Sequence, residues 1–270
     1  MPDSPPFVDI HCHLVPAIDD GSKSWEDTLA MARIAVEEGI GTIVCTPHQC
    51  GNFIHNHGDT IRTLVADVQT KLNANKIPLR VLPGADVRIE PGLVGMLRSG
   101  EVLTLADLRR HVLLELPHEM YVPLDKLLDE LRASKMVGIL SHPERNEGIL
   151  ARPALVDSLV EAGCLMQVTA GSLIGAFGPL VQKVAETFVQ QGCSHFISTD
   201  AHGPKSRRPL MRQAFDRCVQ LVGEPAAILM CCTNPAAVAA GKDVQRGRIS
   251  VSARQKASST LGGWFGRKAS

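Results

Sequence analysis

Short apolar runs alternate with helical patterns along almost the whole chain, and this alternation limits the possible folds more than any other feature of the sequence. Runs rich in leucine or β-branched residues predict strands over residues 7–11, 42–46, 79–84, 111–115, 137–141, 164–168 and 195–199. Amphipathic stretches between them predict helices over 25–38, 59–74, 123–134, 153–162, 179–191 and 208–221. Ser24 suits the N-cap of the first helix, and Gly39 suits a left-handed residue at its end. Pro123, Pro153 and Pro179 fall where a first helical turn tolerates a missing N–H. A repeated strand–helix order implies a parallel sheet, either closed as a barrel or open and doubly wound.

Polar residues at the strand ends favour the barrel. His11 and His13, His48, Asp86, Glu115, His142, and the Asp200/His202 pair each lie at or just beyond the end of a different predicted strand. A barrel brings all those ends to one face, whereas an open sheet spreads them along a line. No G-x-G-x-x-G opens a helix after the first strand, which weakens a dinucleotide-binding fold. The expected fold is therefore α/β, a distorted TIM-like (β/α)7 barrel. One domain is expected over residues 1–252, followed by a polar, Gly/Ser-containing tail over 253–270 that reads as flexible.

Composition removes several function classes. Lysine plus arginine balance aspartate plus glutamate at 28 each, so no bulk positive field favours nucleic acid or an anionic membrane. One Tyr and two Trp make a poor base-stacking platform. The residues Met1–Pro6 lack the basic start and apolar core of a signal peptide, and no apolar stretch is long enough to span a bilayer, so a cytoplasmic location is expected. The eight cysteines are scattered, form no C-x-x-C, and read as free thiols.

His11-Cys-His13 ends a strand-forming run, and residues two apart on a strand face the same way, so two imidazoles can close on one ion. Asp200-Ala-His202 repeats that spacing at the far end of the chain. With His48, Asp86, Glu115 and His142 between them, the donors exceed what one ion needs, and two or three divalent ions sharing a carboxylate are expected. Imidazole and carboxylate accept several metals. His55 and His57 lie in a polar loop and read as surface or substrate-lining residues, whereas His111, His118 and His195 read as structural.

These segments, in this order, resemble the PHP (polymerase and histidinol phosphatase) superfamily. Within it they look like the bacterial capsule-type protein tyrosine phosphatases, the CpsB/CapC and YwqE-like group. The resemblance runs from about Val8 to Asn234. It is most specific in the stretch from Asp9 to Gly21, in Thr46-Pro-His48, Ser141-His-Pro-Glu-Arg145, Ala170-Gly-Ser-Leu173 and Thr199-Asp-Ala-His202. It implies a trinuclear site, with His11, His13 and Asp200 on one ion, Glu115 and His142 on a second, and Asp20, His48 and His202 on a third. Asp86 would bridge the first two, at a position where glutamate is more common. Asp19 is the alternative to Asp20 if the loop is read one residue out of register. Manganese is the leading metal, with Fe, Co or Zn as substitutes.

The resemblance further implies hydrolysis of a phosphate monoester by a metal-bound hydroxide. Arg145 and Arg207 would bind the phosphate, with Arg208 as the alternative to Arg207. The substrate would be a phosphotyrosine protein, by resemblance a bacterial tyrosine kinase of exopolysaccharide or capsule export. No nucleic-acid partner and no stable membrane insertion are expected; an oligomer is open. No cysteine has an arginine six positions later, which disfavours a thiol-based phosphatase. The competing readings are a small-molecule phosphatase of the histidinol-phosphate kind, an exonuclease-like phosphodiesterase and, from another class, a metal-binding regulatory protein.

Overall fold

The computed structural model describes residues 5–251; the predicted tail over 253–270 lies outside the described residues. Nine parallel strand segments are present among them: β1 (Phe7–Cys12), β2 (Ile40–Cys45), β3 (His48–Gln49), β4 (Arg80–Pro83), β5 (Asp86–Arg88), β6 (His111–Glu115), β7 (Val137–Ser141), β8 (Leu165–Thr169) and β9 (Phe196–Ser198). One sheet runs β1-β2-β4 and the other β3-β5-β6-β7-β8-β9. The sheets are joined covalently, because β2 continues into β3 across Thr46-Pro47 and β4 into β5 across Gly84-Ala85. Pro47 has no N–H for a ladder, and its carbonyl instead receives the Asp86 amide at 3.2 Å. Seven strand paths therefore run in chain order, as expected.

The last path returns to the first. The Asp200 amide donates to the His11 carbonyl at 2.7 Å, and the His13 amide to that of Ala201 at 2.9 Å, flanking a parallel bridge between Cys12 and Ala201. Val8, Ile10, Val44, Leu113, Ile139, Leu165 and Phe196 project from the strands into one inner cluster, bounded by Leu105, Val238 and Val244. Their alternate neighbours, among them Val112, Leu114, Leu140, Met166 and Ile197, join the larger core beneath the helices. This two-sided burial is why the strands read as continuous apolar runs.

The principal helices are α1 (Trp25–Glu37), α2 (Gly58–Ala74), α3 (Leu93–Ser99), α4 (Asp125–Ala133), α5 (Glu147–Ala151), α6 (Leu155–Glu161), α7 (Ala170–Leu173), α8 (Pro179–Gln190) and α9 (Arg212–Val222). Ser24 caps α1, accepting from the Asp27 amide, and Pro179 opens α8, as expected. Three helical starts differ from expectation: α4 and α6 begin two residues beyond Pro123 and Pro153, and α9 begins at Arg212 rather than Arg208. Pro209 disfavours helical geometry at Arg208, and the chain there stays an irregular loop. The helices at 93–99, 147–151 and 170–173 and the helical segments within 224–239 were not anticipated. Among the described residues, no helix is long and apolar enough to cross a membrane.

Candidate metal centre

All nine predicted ligand positions meet in one pocket at the strand ends. Four groupings have donor atoms mutually within 4.8 Å: His13, Asp20, His48 and His202; His11, His142 and Asp200; His11, His13 and Asp86; and His48, Asp86 and Glu115. His11 Nε2 lies 3.4 Å from Asp86 and 3.2 Å from Asp200. Asp20 Oδ1 lies 3.4 Å from His202 Nε2 and 3.5 Å from His48 Nε2. The groupings differ from the implied pairing in three ways: His142 joins His11 and Asp200 and is 4.0 Å from Glu115, His13 joins Asp20, His48 and His202, and Glu115 joins His48 and Asp86. Asp86, in spite of its short side chain, comes within 3.5 Å of His48, its register partner between β3 and β5.

A slip in the β1–β2 register aims the first two histidines. Val8 and Ile10 face the inner cluster, so strict alternation would turn His11 away from it. The ladder is irregular between Asp9 and Cys12, and an irregularity of this kind re-aims the side chains that follow. Buried Asp9 holds the segment, accepting from the amides of His11 and Thr199 and from the Thr199 hydroxyl.

The imidazoles are held from behind. His11 Nδ1 donates to Gln167 Oε1 at 2.8 Å, His13 Nδ1 to Asp19 Oδ2 at 2.7 Å, and His202 Nδ1 to the Asp200 carbonyl at 2.9 Å. Each contact leaves Nε2 free to bind an ion, the usual arrangement behind metal-ligating histidines. Asp19 also accepts from the amides of Gly21 and His48, so it braces the site while Asp20 faces it. A Cβ at Gly21 would stand 2.4 Å from His13 Cβ, which explains the glycine after the two acids.

His142 (φ 33°) and Asp200 (φ 51°) adopt the left-handed region just past β7 and β9, strain of a kind concentrated at functional sites. Arg145 and Arg207 both donate to Asp200 Oδ2, Arg207 at 2.5 Å, and the Arg145 guanidinium lies 4.4 Å from the Phe177 ring centre. Arg207, also at positive φ, rather than Arg208, reaches the pocket edge in this way.

The electrostatics are those of a cation trap. Burial alone would lower His13, yet Asp19 and Asp200 raise it to about 10. Burial would raise Asp200, but His11, His13 and the two guanidiniums hold it well below the usual carboxylate range. Burial, then Asp86, pushes Glu115 up to about 8. Burial, with His13 adding to it, lowers His202 to about 4. A proton and a divalent ion thus compete for the same inward nitrogens.

The family described as Capsular polysaccharide synthesis, CpsB/CapC, matches residues 7–240. The chain belongs to the CpsB/CapC family. It is similar to the tyrosine-protein phosphatase YwqE of Bacillus subtilis (strain 168), 37% identical over 203 residues, covering 74% of this chain and 79% of that protein. It is also similar to the tyrosine-protein phosphatase CpsB of Streptococcus pneumoniae, 26% identical over 235 residues, covering 85% and 96% respectively. A chain from the crystal structures of YwqE and CpsB, described there as unique metal-dependent tyrosine phosphatases, superposes with a TM-score of 0.85 at 32% identity, covering 90% of this chain and 99% of that one. The lactonase Lmo2620 of Listeria monocytogenes (TM-score 0.55, 13% identity, covering 90% of this chain and 97% of that one) shares the fold alone.

The donor set of this CpsB/CapC chain fits divalent ions on its own geometry. Both Asp86 oxygens are buried without a hydrogen-bond partner, and His11 and His13 point their Nε2 atoms at one another 3.3 Å apart. Five imidazoles and four carboxylates converging in this way suit Mn, Fe, Co or Zn. Several supporting residues were not anticipated. Gln167 and Asp9 are polar positions inside apolar strand runs, a signal the sequence carries. Buried Glu144 accepts from the Thr169 amide and the Ser172 hydroxyl, tying α7 beside Arg145. Phe53 stacks on His48 at 5.1 Å between ring centres. His55 and His57 are exposed and outside every donor grouping found among the described residues, and His195 bonds the Met166 amide and Gly247 carbonyl as a structural residue.

Proposed function

We propose that this chain is a metal-dependent protein tyrosine phosphatase acting in capsule or exopolysaccharide synthesis, with a bacterial tyrosine kinase as its substrate. The observation that carries the reading is the convergence of nine donors from separate strand ends beside two arginines that meet at Asp200. His11, His13 and Asp200 would hold one ion, Glu115 and His142 a second, and Asp20, His48 and His202 a third, with Asp86 bridging the first two. Manganese is the proposed metal. Such ions would supply a nucleophile, by lowering the pKa of a coordinated water to about 7, and would neutralise phosphoryl charge.

The protein's own contribution is binding and alignment. Arg145 and Arg207 present guanidinium forks at a single point of the cluster edge, where two phosphoryl oxygens can accept them. The Phe177 ring supports Arg145, limiting the side-chain freedom lost on binding. Asp19 and Gln167 hold His13 and His11 in the tautomer that leaves Nε2 unprotonated. We place the enzyme in the cytoplasm, on the strength of eight buried free thiols.

The test is metal stoichiometry with bound phosphate, followed by turnover of a phosphotyrosyl peptide, histidinol phosphate and single-stranded DNA by manganese-loaded protein. Three ions per chain and preference for the peptide are expected. Faster turnover of histidinol phosphate would make it a small-molecule phosphatase, and ion binding without hydrolysis would leave a regulatory role.

A further inference from the structure

Three cavities flank the metal-ligand cluster. The most open, about 370 Å3, is lined by Asp20, Lys23, Asp27, His202, Lys205 and Arg207 and offers an aryl ring no aromatic or long aliphatic wall; the other two differ in chemistry. One, about 190 Å3, is walled chiefly by polar groups, including His48, Gln49, Asn52, Arg88 and Glu115, with Phe53 as its single aromatic. The other, about 300 Å3, has Ile174, Phe177 and Leu210 among its walls, with Asp200, Lys205, Arg207 and Arg208 as its charged lining. A protein cavity of ~150 Å3 suffices for a benzene ring. The cavity walled by Ile174 and Phe177 is therefore roomy enough for an aryl group, and it touches the point where both arginines converge.

We propose that this cavity receives the aryl ring of the phosphomonoester, so that Ile174, Phe177 and Leu210 select phosphotyrosine over phosphoserine and phosphothreonine. The inference rests on the phosphatase reading above. A phosphoryl group held by Arg145 and Arg207 has its ester oxygen within one bond of whatever group it carries. A rigid ring on that oxygen enters the apolar cavity and is removed from water there. A serine stem is too short to reach those walls, so its phosphate gains only the ionic contacts. The polar cavity offers an aryl ring no comparable wall and would leave His48 and Glu115 in contact with apolar surface.

Ala176→Trp fills the cavity from an exposed position, and Ile174→Ala removes part of its wall. For the manganese-loaded full chain, the ratio of kcat/KM for O-phosphotyrosine to that for O-phosphoserine is expected to fall about tenfold or more in Ala176→Trp, and to fall in Ile174→Ala as well. The affinity for phenylphosphonate relative to methylphosphonate, measured by calorimetry, should fall in parallel without any turnover. The inference is overturned if both ratios stay at their wild-type values in the two variants, or if Phe53→Ala moves them instead. Wild-type protein that hydrolyses neither substrate would sink the phosphatase reading, and the phosphonate affinities alone would then decide the subsite.

Discussion

Asp19 Oδ2 lies 2.7 Å from His13 Nδ1, while its neighbour Asp20 turns the other way, 3.4 Å from His202 Nε2. Two adjacent acids thus have different tasks. Asp19→Asn should weaken metal binding about 10- to 100-fold without lowering the stoichiometry at saturating metal. Asp20→Asn should remove an ion outright. Titration calorimetry with metal analysis separates the two, and equal stoichiometries would show that Asp20 is no ligand.

Gly21 closes that loop against His13, with no room for a side chain. Gly21→Ala is expected to cost about 1–3 kcal/mol of folding stability through overpacking, and to weaken metal binding as His13 shifts. Urea denaturation of apo and metal-loaded protein checks both effects. Unchanged values would mean the loop relaxes freely.

Arg207 reaches Asp200 Oδ2 through one guanidinium nitrogen, and lysine keeps the charge but loses the fork. Arg207→Lys should lower kcat/KM for aryl phosphates by about 10²-fold, with ion stoichiometry intact. Rates within a few-fold of wild type would remove Arg207 from substrate binding.

His111 starts β6 outside the donor set, with a buried, unpartnered Nδ1. Burial, aided by Arg110, lowers it from 6.5 to about 4. The unfolded chain therefore takes up this proton first. The stability linked to neutral His111 is complete above about 6.5 and is lost as the pH falls from there towards 4, on the order of 3 kcal/mol. His111→Leu, compared with wild type in chelator at pH 7 and pH 4, should lack that loss. Parallel pH dependences in the two proteins would refute the assignment.

The fold and the clustering of the candidate donors were legible because a parallel α/β repeat writes both in local terms. Each strand is a short apolar run, and the candidate donors sit where such runs stop, as at Glu115 on β6 and His142 after β7. The parts that escaped depend on distant or irregular contacts. Gln167 meets His11 across 156 positions, so nothing near either residue announces the pair. The register slip after Asp9 depends on how β1 fits β2, and strict alternation cannot express it. The stretch 208–211, just after Arg207, looked helical by pattern, yet with Pro209 in it the helix starts only at Arg212.

The bond from the Asp200 amide to the His11 carbonyl joins the last strand path to the first. Ring closure and site assembly are therefore one event. A nascent chain still lacking residues near 200 has seven of the nine imidazoles and acids made but no finished centre. The full donor set is complete only when Asp200 and His202, the last donors to be made, are brought beside the first strand.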